Sequence, residues 1–329
     1  MKKKLLLLVL LSVLVLSCTQ SKKSDGDLEI YAVTDSIKLN RPTRLLDFIV
    51  TEEHFIGVDD YDTQLVLLSR DGKRLASFGN KGRGPKEFSD PKFISIYNNI
   101  IGINDHVLNK NVLVRYDINN EKIVYNNEFR LPYALIDISI LKEDKILISL
   151  FGDENNIKLF DFSGNIIEEF SFMENDLSED LESFFDSSFF IGKINSEYFL
   201  LAGVVTGKLY FCQFNHKKNS IAVISEQIVE DFDKLGDTYH QIGDDAIQTY
   251  GLGLIYTFNN HYYISFDPTS EAIEESFFQR YDKYGNYLGK TVIKDELEYF
   301  FAFYEDEIYF MRLLEGNDEM IYVAKEIEK

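Results

Sequence analysis

One local pattern recurs along this chain often enough to limit its fold sharply. An apolar strand ends in an aromatic and a polar residue, turns tightly, and returns as a second strand. The pattern reads "LLSRDGKRLASF" from Leu67, "VRYDINNEKIVY" from Val114, "KLFDFSGNIIEEF" from Lys158, "CQFNHKKNSIAVI" from Cys212 and "QRYDKYGNYLGK" from Gln279. Each segment is a hairpin. The turn position is held by Gly72, Asn120, Gly164, Lys218 and Gly285, and Gly and Asn adopt the positive φ of such turns most readily. Successive turns lie 48, 44, 54 and 67 residues apart. A spacing in the forties, with four short strands per unit, is the signature of a β-propeller.

Reading each unit for four strands gives five complete sets and one incomplete one. The first is "LLDFIV", "HFIGVDD", "QLVLLSRD" and "RLASFG"; the sixth has "YFFAFYED", "EIYFMRLLE" and "MIYVAKEIE" but no fourth strand. The segment "DLEIYAVTDS", residues 27 to 36, supplies it. Sealing a ring with a terminal strand removes a sheet edge that would invite aggregation. The expected architecture is therefore all-β: a six-bladed β-propeller of four-stranded antiparallel blades, closed by the N-terminal strand. The two long intervals contain polar insertions, residues 173–188 and 228–248, each able to carry a short helix. Composition agrees with sheet, with 27 Phe and 20 Tyr against 5 Pro.

The leader has its own logic. Lys2, Lys3 and Lys4 precede an apolar run from Leu5 to Leu16, then Ser17 and Cys18. That run is short for a membrane-spanning helix and has the layout of a secretory signal. The "VLSC" stretch resembles the lipobox of bacterial lipoproteins, although Val15 and Leu16 replace the more usual Leu and small residue. The resemblance implies cleavage before Cys18 and lipidation of that cysteine, hence anchoring to a membrane rather than spanning it. An ordinary signal peptide with an incidental cysteine is the other reading. The organisation expected is a signal peptide over 1–17, a lipidated cysteine and polar tether over 18–27, and a propeller over 28–329. Only Cys212 then remains as a thiol, so no internal disulfide can form.

The stretch "FGNKGRGPKEFSDP", residues 78 to 91, tests for a phosphate loop. Walker-type and dinucleotide loops need their glycines between a strand and a helix; Gly79, Gly82 and Gly84 fit neither the spacing nor the context. They sit between the last strand of one blade and the first of the next, where Pro85 stiffens the turn and Pro91 precedes a strand. Phe78, Gly79, Gly82, Gly84, Pro85, Phe88 and Pro91 resemble the interblade signature of NHL-type propellers and of the related TolB-like and six-bladed β-propeller lipoproteins of Bacteroidetes-type bacteria. The other blades lack it, which favours the lipoprotein branch. The resemblance implies fold and an envelope address, an outer-membrane lipoprotein facing the periplasm or the cell surface, and says little of function.

Chemistry has fewer markers. The formal charge of -21 argues against nucleic acid as a partner, because a polyanion gains affinity from Lys and Arg. Second strands run repeatedly into acidic or amide residues: Asp59, Asp60 and Asp62; Asn104 and Asp105; Asp153 and Glu154; Asp267; Asn317 and Asp318. In a propeller these loops share a face with the interblade loops, so they can ring one mouth of the channel, with Arg83 and Lys86 nearby and His106 the one histidine beside it, as a site for a cation, a polyol or a basic peptide. Asp and Asn are also good turn residues that satisfy local backbone donors. No cofactor motif is present; Ca²⁺ is the ion such a mouth would suit, although the twelve-residue Ca²⁺ loop is absent. His54, His106, His216, His240 and His261 show no metal-like pairing, and no G-x-S-x-G elbow occurs. Two functional classes follow. One is a non-catalytic module binding an envelope protein or glycan; the other is a carbohydrate- or peptide-acting lyase or hydrolase using the acids of the mouth.

Overall fold

The computed structural model describes residues 27–117, 119–132, 134–151, 155–172, 188–203, 206–229, 237–242, 245–250, 252–266, 276–294, 301–311 and 320–327. Strand β1 (Asp27–Lys38) opens them. Then β2 (Leu45–Val50), β3 (His54–Asp59), β4 (Gln64–Ser69) and β5 (Arg74–Phe78) form an antiparallel sheet in that order. The same arrangement recurs in β6 (Pro91–Tyr97), β7 (Ile100–Asp105), β8 (Lys110–Asp117) and β9 (Lys122–Arg130). It recurs again in β10 (Leu135–Lys142), β11 (Lys145–Leu150), β12 (Ile157–Phe160) and β13 (Ile166–Phe170), then in β14 (Phe189–Lys193), β15 (Tyr198–Gly203), β16 (Lys208–Asn215) and β17 (Ser220–Ile228). A hairpin of β18 (Asp237–Ile242) and β19 (Asp245–Tyr250) follows. The sequence suggested a short helix within residues 228–248; the described part is this hairpin, in which Tyr239, Ile247 and Thr249 suit paired strands. Residues 173–187 lie outside the described residues.

The last sheet has eight strands. It joins β20 (Leu252–Phe258), β21 (His261–Phe266), β22 (Ser276–Asp282) and β23 (Tyr287–Ile293) to β24 (Phe301–Tyr304), β25 (Glu307–Met311) and β26 (Met320–Glu326), with β1 between β23 and β26. Residues 27–31 run parallel to β23, and residues 31–38 run antiparallel to β26. Side chains reinforce the seam: Arg280 pairs with Glu29 and donates to the Asp27 carbonyl at 2.8 Å, while Thr291 donates to Glu29 at 3.0 Å.

Burial follows strand order within each sheet. Every residue of β3, β7 and β11 is buried, whereas β13 and β17 are largely exposed. Middle strands are covered on both faces by neighbouring sheets, and the fourth strand meets solvent. The core is a succession of such interfaces. Ile56, Val58, Leu65 and Leu67 pack against Ile101, Ile103, Val112 and Val114, and equivalent clusters join each later sheet to the next. The series returns to its start, because Phe48, Phe55, Val66 and Leu68 pack on Ala302, Tyr309, Met311 and Val323. Each such fully buried aliphatic or aromatic side chain contributes about 1.5–3 kcal/mol. Cys212 is a buried free thiol, so burial carries the stability.

The hairpin turns explain the recurring aromatic–polar pair. Asp161 Oδ1 accepts the amides of Ser163 and Asn165, and Asp282 Oδ1 those of Tyr284 and Asn286. The polar residue thus organises the turn through its own side chain. Gly72, Gly164 and Gly285 take positive φ as the sequence suggests. In the other two hairpins the left-handed residue is one position later, at Glu121 and Asn219 rather than Asn120 and Lys218. There the turn places it four residues after Asp117 and Asn215 rather than three, so no glycine marks it.

Candidate functional site

Strand direction alternates, so connections fall into two sets. Those from first to second and from third to fourth strands are two to five residues long. The other set joins second to third strands and one sheet to the next, and among the described residues it includes 79–90 and the ends of two longer segments, at 171–172 and at 229. Hydrogen bonds show that these loops share one face. The Asp60 amide donates to the Arg44 carbonyl at 2.9 Å, His106 to Asp90 at 3.0 Å, Phe151 to Ala134 at 2.9 Å and Val229 to Gly207 at 2.9 Å.

The acids expected on this face are mostly committed to the fold. Asp59 is fully buried and pairs with Arg74, whose side chain is 8 % exposed; Arg74 also reaches Asp62 at 2.9 Å. Asp62 pairs further with Arg41, and Asp60 with Arg44. Asp105, buried, accepts the amides of Ser89 at 2.6 Å, Asp90 at 3.3 Å and Leu108 at 3.1 Å, which fixes the end of the glycine-rich connection. Asn104 and its cross-strand partner Asn111 are fully buried, and among the described residues neither side-chain amide has a hydrogen-bond partner. Such groups call for ordered water. Arg83 and His106 are exposed, and the Arg83 carbonyl accepts from Arg130. Asp153, Glu154, Asp267, Asn317, Asp318 and Cys18 lie outside the described residues.

The glycine-rich connection is a self-satisfied loop. Gly79 has φ of +91°, and a Cβ there would lie 2.3 Å from the Phe88 ring. Glu87 accepts the Gly84 amide at 2.8 Å, and buried Lys110 donates to the carbonyls of Gly84 and Glu87. Lys110 is thereby held below the usual lysine range by burial. Its positive-φ residue besides Gly79 is Lys86, a position the sequence did not suggest.

Sequence reasoning missed a second constellation, at the centre. First strands β2, β6, β10, β14, β20 and β24 line a cavity of about 240 Å³. These strands do not pair with one another, so their inner amides need other acceptors. Side chains provide them: Asp47 accepts the Ile94 amide at 2.8 Å, Ser95 that of Ile140 at 2.9 Å, Asp137 that of Ile191 at 2.7 Å, and the Tyr256 hydroxyl that of Phe301 at 3.3 Å. Lys193 does the converse, donating to the carbonyls of Ile96 at 2.8 Å and Ile140 at 2.5 Å. Burial pushes Asp47 up to about 7, with the nearby Asp137 charge adding, and pushes Asp137 up to about 7. Desolvation lowers Lys193 to about 8. The signal was present in the sequence: single charges inside "LLDFIV", "LIDISIL" and "FFIGK", strands otherwise apolar.

No family model matches the chain, and no curated protein matches it. Solved structures do. A protein described as a putative exported protein of Bacteroides fragilis NCTC 9343 superposes with a TM-score of 0.59 at 12 % identity, covering 92 % of this chain and all of that one. The Cps50 (Swd1) β-propeller domain of Myceliophteria thermophila gives 0.51 at 10 % identity over 89 % of this chain and 98 % of its own. A streptogramin B lyase gives 0.52 at 12 % identity over 90 % and 98 %. At such identities the likeness is one of fold: this chain is an all-β protein of the β-propeller kind.

Proposed function

We propose that the protein is a lipid-anchored, six-bladed β-propeller of the bacterial envelope, close to the NHL- and TolB-like lipoprotein propellers, that serves as a non-catalytic binding module for a protein or glycan. The observation that carries the non-catalytic reading is the state of the loop-face acids among the described residues. Asp59, Asp60 and Asp62 are neutralised by Arg41, Arg44 and Arg74, and Asp105 caps backbone amides. No two of them are left as an acid and a base to share a reaction. On the same face Tyr61 and Val107 stand 47 % and 54 % exposed, at adjacent second-to-third-strand turns. Exposed aromatic and aliphatic groups beside long loops suit a docking surface. Ring closure by the N-terminal strand is supported by the place of β1 beside β26, and the envelope address by the leader and by Cys18.

Crosslinking in envelopes followed by co-purification tests this reading. Wild type should capture a defined partner that Tyr61→Ala combined with Val107→Ser fails to capture. Capture indifferent to that pair, or turnover of an envelope glycan or peptide by the purified protein, would overturn it. The anchor has its own measurement: the intact mass of the mature protein should show an acylated N-terminus at Cys18, and an unmodified one removes the anchor.

A further inference from the structure

We propose that the central cavity binds a small aliphatic ammonium compound, held by the carboxylates of Asp47 and Asp137 and the hydroxyl of Ser139. This site is separate from the loop-face surface, and either can fail alone. The two acids come from β2 and β10, each in the third position of its strand, near the end that meets the long loops. Their hydrogen bonds go to backbone amides, and among the described residues no Lys, Arg or His forms an ion pair with either. Both carboxylates line the one cavity, and dipoles of amides do not neutralise two such buried charges; a proton or a cation must.

An independent observation points to an occupant. Ser139 is 3 % exposed, lines the cavity, and has no hydrogen-bond partner among the described residues. A buried hydroxyl in this condition calls for a group to bond. The lining also includes hydrocarbon, from Ile49, Ile138, Ile255 and Phe303. Lys193 ends β14, two residues beyond Ile191, whose amide Asp137 caps. Its ammonium lies 5.7 Å from the Tyr97 ring centroid and is spent on two carbonyls. It therefore ties the axis towards the short-turn end and leaves the acids facing the loop end. The remaining polar groups, Ser95 and Tyr256, already accept amides, and Thr257 donates to the Lys193 carbonyl at 2.9 Å.

The chemistry selects an organic cation over a metal. Calcium takes about six to eight oxygen ligands, and no three His, Cys, Asp or Glu side chains converge among the described residues. A primary ammonium needs only about three acceptors, and an alkyl body matches the walls. Near neutral pH the acids hold protons that an entering ammonium displaces, so binding releases protons to the buffer.

Calorimetric titration of the protein with 1,4-diaminobutane at pH 7 is the test. The expected result is a saturable heat that changes with the ionisation enthalpy of the buffer. Affinity should fall about tenfold or more in Asp137→Asn and in Asp47→Asn, whereas n-butanol, with the same hydrocarbon and no charge, should give no saturable heat. Asparagine retains an oxygen for the strand amides; should either variant unfold, Ser139→Ala, whose hydroxyl supports no strand, must still weaken the diamine. Absence of saturable heat with the diamine, binding unchanged in the variants that fold, or a calcium heat that the diamine cannot displace would overturn the proposal.

Discussion

Converting Asp47 and Asp137 together to asparagine should flatten the pH dependence of stability between pH 5 and 7. Burial raises both from an ordinary value of 3.8 to about 7. Each therefore keeps its proton in the folded protein long after the unfolded chain has lost it. The sign follows from linkage: stability is fully present below about pH 4, and it falls as pH rises through the native value. Well inside that window the fall is about 1.4 kcal/mol per pH unit for each group, and it tapers as the native acids begin to ionise. Integrated from pH 5 to 7, this is about 2 kcal/mol per residue, or about 4 kcal/mol for both. Lys193 does not contribute there, because it stays protonated until about 8. His261, lowered by burial, titrates alike in both proteins and cancels in the difference. Urea unfolding at pH 5, 6 and 7, followed by far-ultraviolet circular dichroism because the chain has no Trp, gives the two slopes. Parallel lines for wild type and double variant would refute the reasoning, since the acids would then be paired or solvated in a way the geometry does not show.

Three further outcomes follow from burial and packing. Arg74→Met leaves Asp59, fully buried, without its cation, and should cost about 3–5 kcal/mol in urea unfolding; adding Asp59→Asn should recover part of it. Gly192→Ala places a Cβ 2.3 Å from Ile255 Cγ2, between two first strands, and should destabilise by about 1–3 kcal/mol, read as a lower unfolding midpoint. Cys212 is fully buried and its thiol is pushed up by desolvation. Its labelling by a thiol reagent should run at the rate of unfolding, and fast labelling of the native protein would contradict the placement of β16.

How far the sequence carried the reading depends on whether a feature leaves a local mark. Strand β7 was legible to the residue as "IIGIND", and β23 as "YLGKTVI", because an apolar run bounded by turn residues is a local signal. Turns at Gly72, Gly164 and Gly285 were legible because only glycine tolerates them cheaply; those at Glu121 and Asn219 were not, because the left-handed position there falls one residue later and is held by a residue other than glycine. The acids at the ends of second strands were found, but their partners were not. Arg41, Arg44 and Arg74 approach from the preceding connection and from the fourth strand of the same sheet, a relation fixed by register rather than by adjacency. Asp47 and Asp137 were passed over for the opposite reason. A lone charge in an apolar strand reads as noise until neighbouring strands show the amide it caps.

That contrast bears on where binding can evolve in such a fold. Lengthening a surface loop costs little, about 0.6 kcal/mol for each doubling, and on the loop face Tyr61 and Val107 stand exposed, outside the core. That face can change partners without disturbing the sheets. The axis has less freedom, because Asp47, Ser95, Asp137 and Lys193 there each satisfy the backbone of a neighbouring strand. A change at Asp137 alters both the site and the support of β14. A ligand of the cavity is therefore coupled to stability in a way that a ligand of the loop face is not. Raising 1,4-diaminobutane should increase the urea midpoint of wild type, and the double variant at Asp47 and Asp137 should show no such increase.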